Sequence, residues 1–125
     1  MRASASVSPR AVTFSTRPPD AVIVVDNASD DHTPAVVAAF GPGVRYIRQP
    51  SRVPMGENHR TARLAASGRY VTLLFDDEVL LPGSLEQRAA ILDRHPDVVA
   101  VGASSAMLDG DELRPGKAIR RRETI

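Results

Sequence analysis

Short apolar runs alternate along the chain with segments in which apolar residues recur every three or four positions. The first run, Ala21–Val25, is unbroken and rich in β-branched residues, which is typical of a strand buried on both faces. Val44–Arg48 alternates apolar and polar residues, and two further apolar runs follow at Tyr70–Phe75 and Val98–Val101. The hydrophobic pattern therefore predicts four strands.

Three segments between these strands carry helix signals. Thr33–Phe40 begins with a capping hydroxyl and a proline, and Met55–Ala66 places apolar residues at helical spacing. Ser84–Gln87 has the capping-box pattern that opens a helix, which His95-Pro96 ends. Farther on, Asp109-Gly110 lies between two leucines and predicts a tight turn or hairpin. Because strands alternate with helices, the predicted class is α/β with a mostly parallel sheet.

The composition narrows the class of protein. The 125 residues suffice for one small domain, and the net charge of +1 argues against nucleic acid as a partner. The chain has no cysteine, which excludes disulfides and thiolate metal sites. Apolar runs such as Ala35–Phe40 are far shorter than the roughly 18 residues of a membrane span, so we expect no integral membrane segment. The arginine-containing N-terminal region lacks the apolar core of a secretory signal, and we expect a cytoplasmic protein.

Acidic residues follow the first and the third predicted strands. Asp26 directly ends the first strand, and three adjacent acids that begin with Asp76 and Asp77 follow the third. Ligands bind beyond the carboxyl ends of parallel strands, so both groups are candidates for one crevice. Adjacent carboxylates repel one another, and a divalent cation that carries a phosphorylated ligand would offset this repulsion. The alternative is that such acids only form turns or favour a helix N-terminus, which suffices for Asp30 and Asp31.

Three stretches of the sequence resemble the family 2 glycosyltransferases. Val22–Val37 reads VIVVDNASDDHTPAVV and is similar to a strand, polar loop and helix of that family. Gly68–Gln87 reads GRYVTLLFDDEVLLPGSLEQ and is similar to its Asp-x-Asp region, and Asp93–Gly102 is similar to the segment that follows. The resemblance covers about Ala11 to Gly116. It implies the three-layer α/β/α, Rossmann-like fold of the nucleotide-diphospho-sugar transferases.

The resemblance also implies an activity, the inverting transfer of a sugar from a nucleotide-diphosphate sugar to an acceptor hydroxyl with Mg²⁺ or Mn²⁺. In that family pattern, Asp77 binds the metal and Asp76 faces the ribose or sugar of the donor. Asp26 and Asn27 match the loop that reads the nucleotide base. Asn58 lies where several members carry a residue near the donor. The resemblance leaves the sugar and the acceptor open.

The sequence departs from the family pattern at three points. Phe75 stands where many members carry the first acid of Asp-x-Asp, and the family's opening strand and its catalytic base have no counterpart. We therefore expect an incomplete domain, with residues 1–10 as a disordered N-terminus, residues 11–116 as a partial family 2 domain and residues 117–125 as a basic tail. Loss of the base would nearly silence turnover, and an exposed sheet edge would favour association.

Two other functions fit the same residues. The first is a non-catalytic remnant that binds a nucleotide sugar. The second is a receiver-like signalling domain, in which Asp26 and Asp76 would belong to an acidic phosphoacceptor pocket with Lys117 downstream. Acetyl phosphate labelling that survives Asp77→Ala and vanishes in Asp76→Ala would favour the receiver-like domain.

Overall fold

The computed structural model describes residues 18–103, 106–109 and 112–115. The chain divides after Ala90 into two compact units. In chain order, the elements of the described residues are β1 (Val22–Asp26), α1 (Thr33–Ala38), β2 (Val44–Arg48), α2 (Met55–Ala65), α3 (Ser84–Arg94), β3 (Ala106–Asp109) and β4 (Glu112–Pro115). A short 3-10 turn, Gly41–Gly43, connects α1 to β2.

β1 and β2 form a parallel pair, which agrees with the predicted α/β class. Their register runs from Val22 opposite Val44 to Asp26 opposite Arg48. Parallel strands need a crossover connection, and α1 with the turn after it supplies that connection. Because the two strands run in the same direction and in register, Asp26 and Arg48 lie side by side at their carboxyl ends.

Buried valines and buried polar groups together hold the first unit. Val24 of β1 is 8% exposed and Val37 of α1 is 5% exposed, and α2 packs against β1. Burial of each valine contributes about 1.5–3 kcal/mol. Asp26, Ser29 and Thr33 are buried as well. The end of β1 therefore depends on hydrogen bonds as much as on apolar packing.

α1 begins differently from the prediction that the Thr33 hydroxyl caps it. His32 is the N-cap and Thr33 is the first helical residue. The Thr33 N–H and hydroxyl both donate to Asp31 Oδ1, at 2.8 Å and 2.6 Å, and these bonds hold the pKa of Asp31 below its ordinary value. Aspartate often bonds the backbone two residues on, so Asp31 satisfies the first N–H of this helix and has a structural use, as one of the two interpretations of this acid expected. The helix ends at Ala38, two residues before the predicted Phe40.

The prediction of a third strand at Tyr70–Phe75 is wrong. A strand exists only when its backbone bonds a neighbouring strand, and none of the described segments pairs with these residues. Val71, Leu73 and Phe75 are 49%, 45% and 42% exposed. Alternate apolar residues of this segment therefore lie at the surface.

The prediction of a fourth strand at Val98–Val101 is also wrong. The Val98 N–H donates to His95 O at 2.9 Å, which closes a turn just after α3. Val99 is 98% exposed. Within the described ranges no segment bonds to these residues as a strand neighbour, and an apolar run without a neighbour has no ladder to join.

β3 and β4 pair antiparallel in the second unit. Asp109 lies opposite Glu112, which confirms the hairpin predicted at this point, while residues 110 and 111 lie outside the described ranges. α2 and α3 occupy the positions predicted for them, to within one or two residues.

Several expectations concern residues that the structure does not describe. These are the N-terminal segment 1–10, the basic tail 117–125 and Lys117 of the receiver-like alternative. Among the described helices, none has the length and apolar character that crossing a bilayer would require.

Candidate functional site

Asp26 ends β1 and is only 2% exposed. Its Oδ1 accepts hydrogen bonds from the Ser29 N–H at 2.9 Å and from the Ser29 hydroxyl at 2.5 Å. Its Oδ2 accepts from the Tyr46 hydroxyl at 2.5 Å and from Arg48 Nε at 3.3 Å. Each oxygen thus receives two bonds, which uses the acceptor capacity of the carboxylate.

The neighbours of Asp26 favour its ionised form. Burial raises the pKa of this carboxyl, but the hydrogen bonds from Ser29 and Tyr46 and the charge of Arg48 outweigh burial, so the pKa lies below the ordinary 3.8. Burial and the bond to Asp26 raise the pKa of Tyr46 to about 12. At neutral pH Asp26 is therefore ionised, and Tyr46 is the neutral donor to it.

Asn27, the next residue, joins two loops. Its Nδ2 donates to Val53 O at 2.8 Å, and its Oδ1 accepts from the Val53 N–H at 2.9 Å. A side-chain amide that bonds both the N–H and the C=O of one residue fixes the distance between the two loops. Asn27 therefore holds the segment that follows β2 against the end of β1.

Asn58 lies on α2 and connects this helix to β1 and to Gln49, the residue that follows β2. Its Nδ2 donates to Val25 O in β1 at 3.3 Å, and its Oδ1 accepts from Gln49 Nε2 at 3.3 Å. Gln49 also donates to Thr61 Oγ1 at 2.9 Å through its side chain and to Asp26 O at 2.8 Å through its backbone. Asp26, Asn27 and Asn58 are thus brought together at the carboxyl ends of β1 and β2.

Asp76 and Asp77 lie on a tight turn and are both exposed. The turn closes through a bond from the Glu78 N–H to Phe75 O at 3.1 Å and a bond from the Phe75 N–H to Glu78 Oε2 at 3.0 Å. Glu78 therefore stabilises the turn with its side chain, while the two aspartates occupy the middle of it.

α2 connects the acidic turn to the strand ends. The ring centroids of His59 and Phe75 are 5.0 Å apart. His59 directly follows Asn58, whose amide bonds β1. Two consecutive residues of α2 therefore contact the end of β1 and the residue before Asp76, even though the segment before Asp76 is not a strand.

The donor set of the acidic turn fits a metal only in part. No group of three histidine or acidic side chains with metal-binding geometry occurs in the described part of the chain. Mg²⁺ is commonly held by one or two carboxylates together with substrate phosphates and water. Asp76 and Asp77 fit that sparse kind of site, in which the ligand completes the coordination.

β2 and the residue after it contribute to this site, which was not predicted from the sequence. Tyr46 and Arg48 donate to Asp26 and Gln49 donates to Asn58, yet Val44–Arg48 was predicted only as a strand and no role was predicted for Gln49. One signal was available, because an arginine that ends the neighbouring parallel strand has the charge to pair with an aspartate that ends the first strand.

Comparison with known proteins identifies the family. A family model described as glycosyl transferase family 2 matches residues 4–123. An uncharacterized protein of Mycobacterium tuberculosis (strain CDC 1551 / Oshkosh) is 31% identical over 95 residues, which cover 74% of this chain and 28% of that protein. The succinoglycan biosynthesis protein ExoO of Rhizobium meliloti (strain 1021) is 35% identical over 95 residues, which cover 74% of this chain and 27% of that protein. No solved structure matches the chain.

These matches confirm the resemblance seen in the sequence. The aligned residues correspond to only 28% and 27% of the length of the two curated relatives, so the activity of a whole relative is not carried over to this chain directly. The family model, however, spans nearly the entire sequence. The chain belongs to glycosyl transferase family 2.

Proposed function

We propose that this chain supplies the donor-binding part of an inverting glycosyltransferase, which transfers a sugar from a nucleotide diphosphate to an acceptor hydroxyl. The main support is the exposed pair Asp76 and Asp77, on a turn that His59 contacts through Phe75. The helix that carries His59 also bonds the carboxyl end of β1, where ligands bind in parallel sheets.

In this proposal Asp77 holds Mg²⁺ or Mn²⁺, and Asp76 faces the ribose or sugar of the donor. When bound, such an ion neutralises negative charge on the departing diphosphate. The residues Asp26, Asn27 and Asn58 form the nucleotide end of the site. Asn27 bonds Val53, Asp26 bonds Ser29 and Asn58 bonds Val25, so these side chains fix two loops and α2 before a ligand arrives, which lowers the ordering cost of binding.

Donor binding and sugar transfer are separate parts of the proposal. General base catalysis contributes about 10²–10⁴-fold to such reactions, and we assign no base among the described residues. Binding of a donor without turnover would match the non-catalytic remnant considered above. Binding is therefore the property to measure first.

The test is calorimetric titration of the full chain with UDP, GDP and TDP, each with and without Mn²⁺. We expect metal-dependent binding of at least one of them, and Asp77→Ala should weaken that binding by about tenfold or more, which corresponds to about 1.4 kcal/mol or more. Asp20→Ala is the matched control, because Asp20 is an exposed acid before the opposite, amino-terminal end of β1. Equal, metal-independent titrations of the wild type and Asp77→Ala would refute the metal assignment.

A further inference from the structure

Arg48 is held in a fixed orientation at the carboxyl end of β2. Its Nε donates to Asp26 Oδ2 at 3.3 Å, and its Nη2 donates to Ser29 O at 2.6 Å. Ser29 is itself held, because its N–H and its hydroxyl both donate to Asp26 Oδ1. Two anchors on one planar guanidinium group fix its plane as well as its position.

The rest of the guanidinium group remains available to a ligand. Arg48 Nη1 makes no hydrogen bond to any residue in the described ranges, and the side chain is 48% exposed. Arginine carries five N–H donors in a rigid fork, and the two anchors use two of them. Donors of a fixed cation form stronger hydrogen bonds than neutral donors, and their orientation here costs no further entropy.

Asp26 has the opposite property. Both of its oxygens already accept two bonds each, and the side chain is fully buried. A base that hydrogen-bonded this carboxylate would have to displace Ser29, Tyr46 or Arg48. Asp26 therefore has no free acceptor for a ligand at this end of the sheet. Arg48, which lies beside it in the register of the two strands, has N–H donors that are free within the described part of the chain.

We infer that Arg48 binds an acceptor oxygen of the nucleotide donor, and that Asp26 is a positioning residue which orients the Arg48 guanidinium group. This inference rests on the proposed function, since it assigns a second contact in the same site. The acceptor oxygen belongs either to the nucleoside (its base or ribose) or to the diphosphate. Each of these sources offers an N–H donor the same chemistry. The role differs from the direct reading of the base that the sequence predicted for Asp26.

The experiment compares Arg48→Lys with wild type, using the nucleoside diphosphate and Mn²⁺ conditions under which wild type binds most tightly. Lysine keeps the charge beside Asp26 but loses the fork of additional donors, so we expect affinity to fall by about tenfold or more. Arg45→Lys is the matched control, because Arg45 lies on the same strand and donates instead to Ala65 O at 3.1 Å. Far-UV circular dichroism verifies that each variant is folded.

Asp26→Asn tests the positioning role. In the wild-type background it should weaken binding by about the same factor as Arg48→Lys does. In the Arg48→Lys background it should cause no further loss of affinity, although it lowers the stability of the protein in both backgrounds. A purely structural Asp26 would weaken binding equally in both backgrounds. Titrations with the matching nucleoside (uridine, guanosine or thymidine) and with inorganic pyrophosphate then identify the source of the oxygen. Only the probe that contacts Arg48 should lose affinity in Arg48→Lys.

The outcomes separate this inference from the proposed function. If Arg48→Lys binds like wild type while Asp77→Ala has lost metal-dependent binding, the role of Arg48 is refuted and the donor site stands. If wild type binds no nucleoside diphosphate, the donor site itself is refuted and the role of Arg48 with it.

Discussion

Asp26→Asn should destabilise the protein strongly although the substitution preserves the shape of the side chain. Hydrogen bonds to a charged group contribute about 1.5–3 kcal/mol each, against about 0.5–1.5 kcal/mol for neutral pairs. The Arg48 bond counts for less, because that side chain is 48% exposed and water screens it. Each of the three other bonds, two from Ser29 and one from Tyr46, weakens by about 1 kcal/mol when its acceptor loses the charge, and the substitution also replaces one acceptor oxygen by an NH2 group. The expected loss is therefore about 3 kcal/mol or more.

The assay is urea unfolding followed by far-UV circular dichroism, since the chain has no tryptophan. With a denaturant slope of about 1–3 kcal/mol/M, the midpoint should fall by roughly 1–3 M. Asp30→Asn is the control, because the Asp30 side chain is 92% exposed and forms an ion pair in which Asp30 Oδ1 lies 3.7 Å from Arg52 Nη2. It should change stability by less than about 0.5 kcal/mol, as exposed ion pairs contribute little.

The pH dependence provides a second check on Asp26. Because its folded pKa lies below the ordinary 3.8, its contribution is complete above pH 3.8 and is lost as the pH falls through the folded pKa. The stability difference between wild type and Asp26→Asn should therefore be constant near neutral pH and shrink in acid. Equal urea midpoints at pH 7, or a difference that does not narrow below pH 3.8, would show that the four bonds do not stabilise the charged form.

Two further predictions concern residues around Asp26. In the folded protein Tyr46 should ionise at about pH 12, which should appear as a late step in the tyrosinate absorbance that Tyr46→Phe removes. The contribution of Tyr46 to stability is complete below its unfolded pKa of about 10 and is lost as the pH rises through its folded pKa. Ala28 has a φ of 55°, a left-handed conformation that favours glycine, so Ala28→Gly should raise the free energy of unfolding by about 0.5–1 kcal/mol. A lowered urea midpoint for Ala28→Gly would contradict the second prediction.

The pattern of apolar and capping residues predicted correctly those elements whose formation depends on residues close by in the sequence. β1, β2, α2 and α3 were found within one or two residues, because apolar spacing and capping residues act over a single turn or strand. The prediction for Tyr70–Phe75 was wrong, since a strand also needs a neighbouring strand and none of the described segments pairs with these residues. The same run of apolar residues supports either outcome.

The candidate site shows a similar division. The sequence pointed to Asp26 and Asn58, and the structure brings both to the carboxyl end of β1. Sequence alone does not tell which groups occupy the oxygens of a carboxylate, so Arg48 and Tyr46 escaped notice as its partners. Asp76 and Asp77 were singled out from the sequence as three adjacent acids with Glu78, and the structure adds that both lie exposed on a turn which the Glu78 side chain stabilises.

The exposed apolar segment Tyr70–Phe75 raises the question of aggregation, which the charged residues beside it oppose. Six uncharged residues with high β propensity and no proline are the kind of segment that stacks into cross-β fibrils. Arg69 precedes the segment and Asp76 follows it, so an in-register stack would bring like charges together at both ends. The acids proposed to hold a metal would therefore also oppose such stacking. An excess of divalent cation would offset their charge, so the solubility of the protein should fall at high concentrations of such a cation.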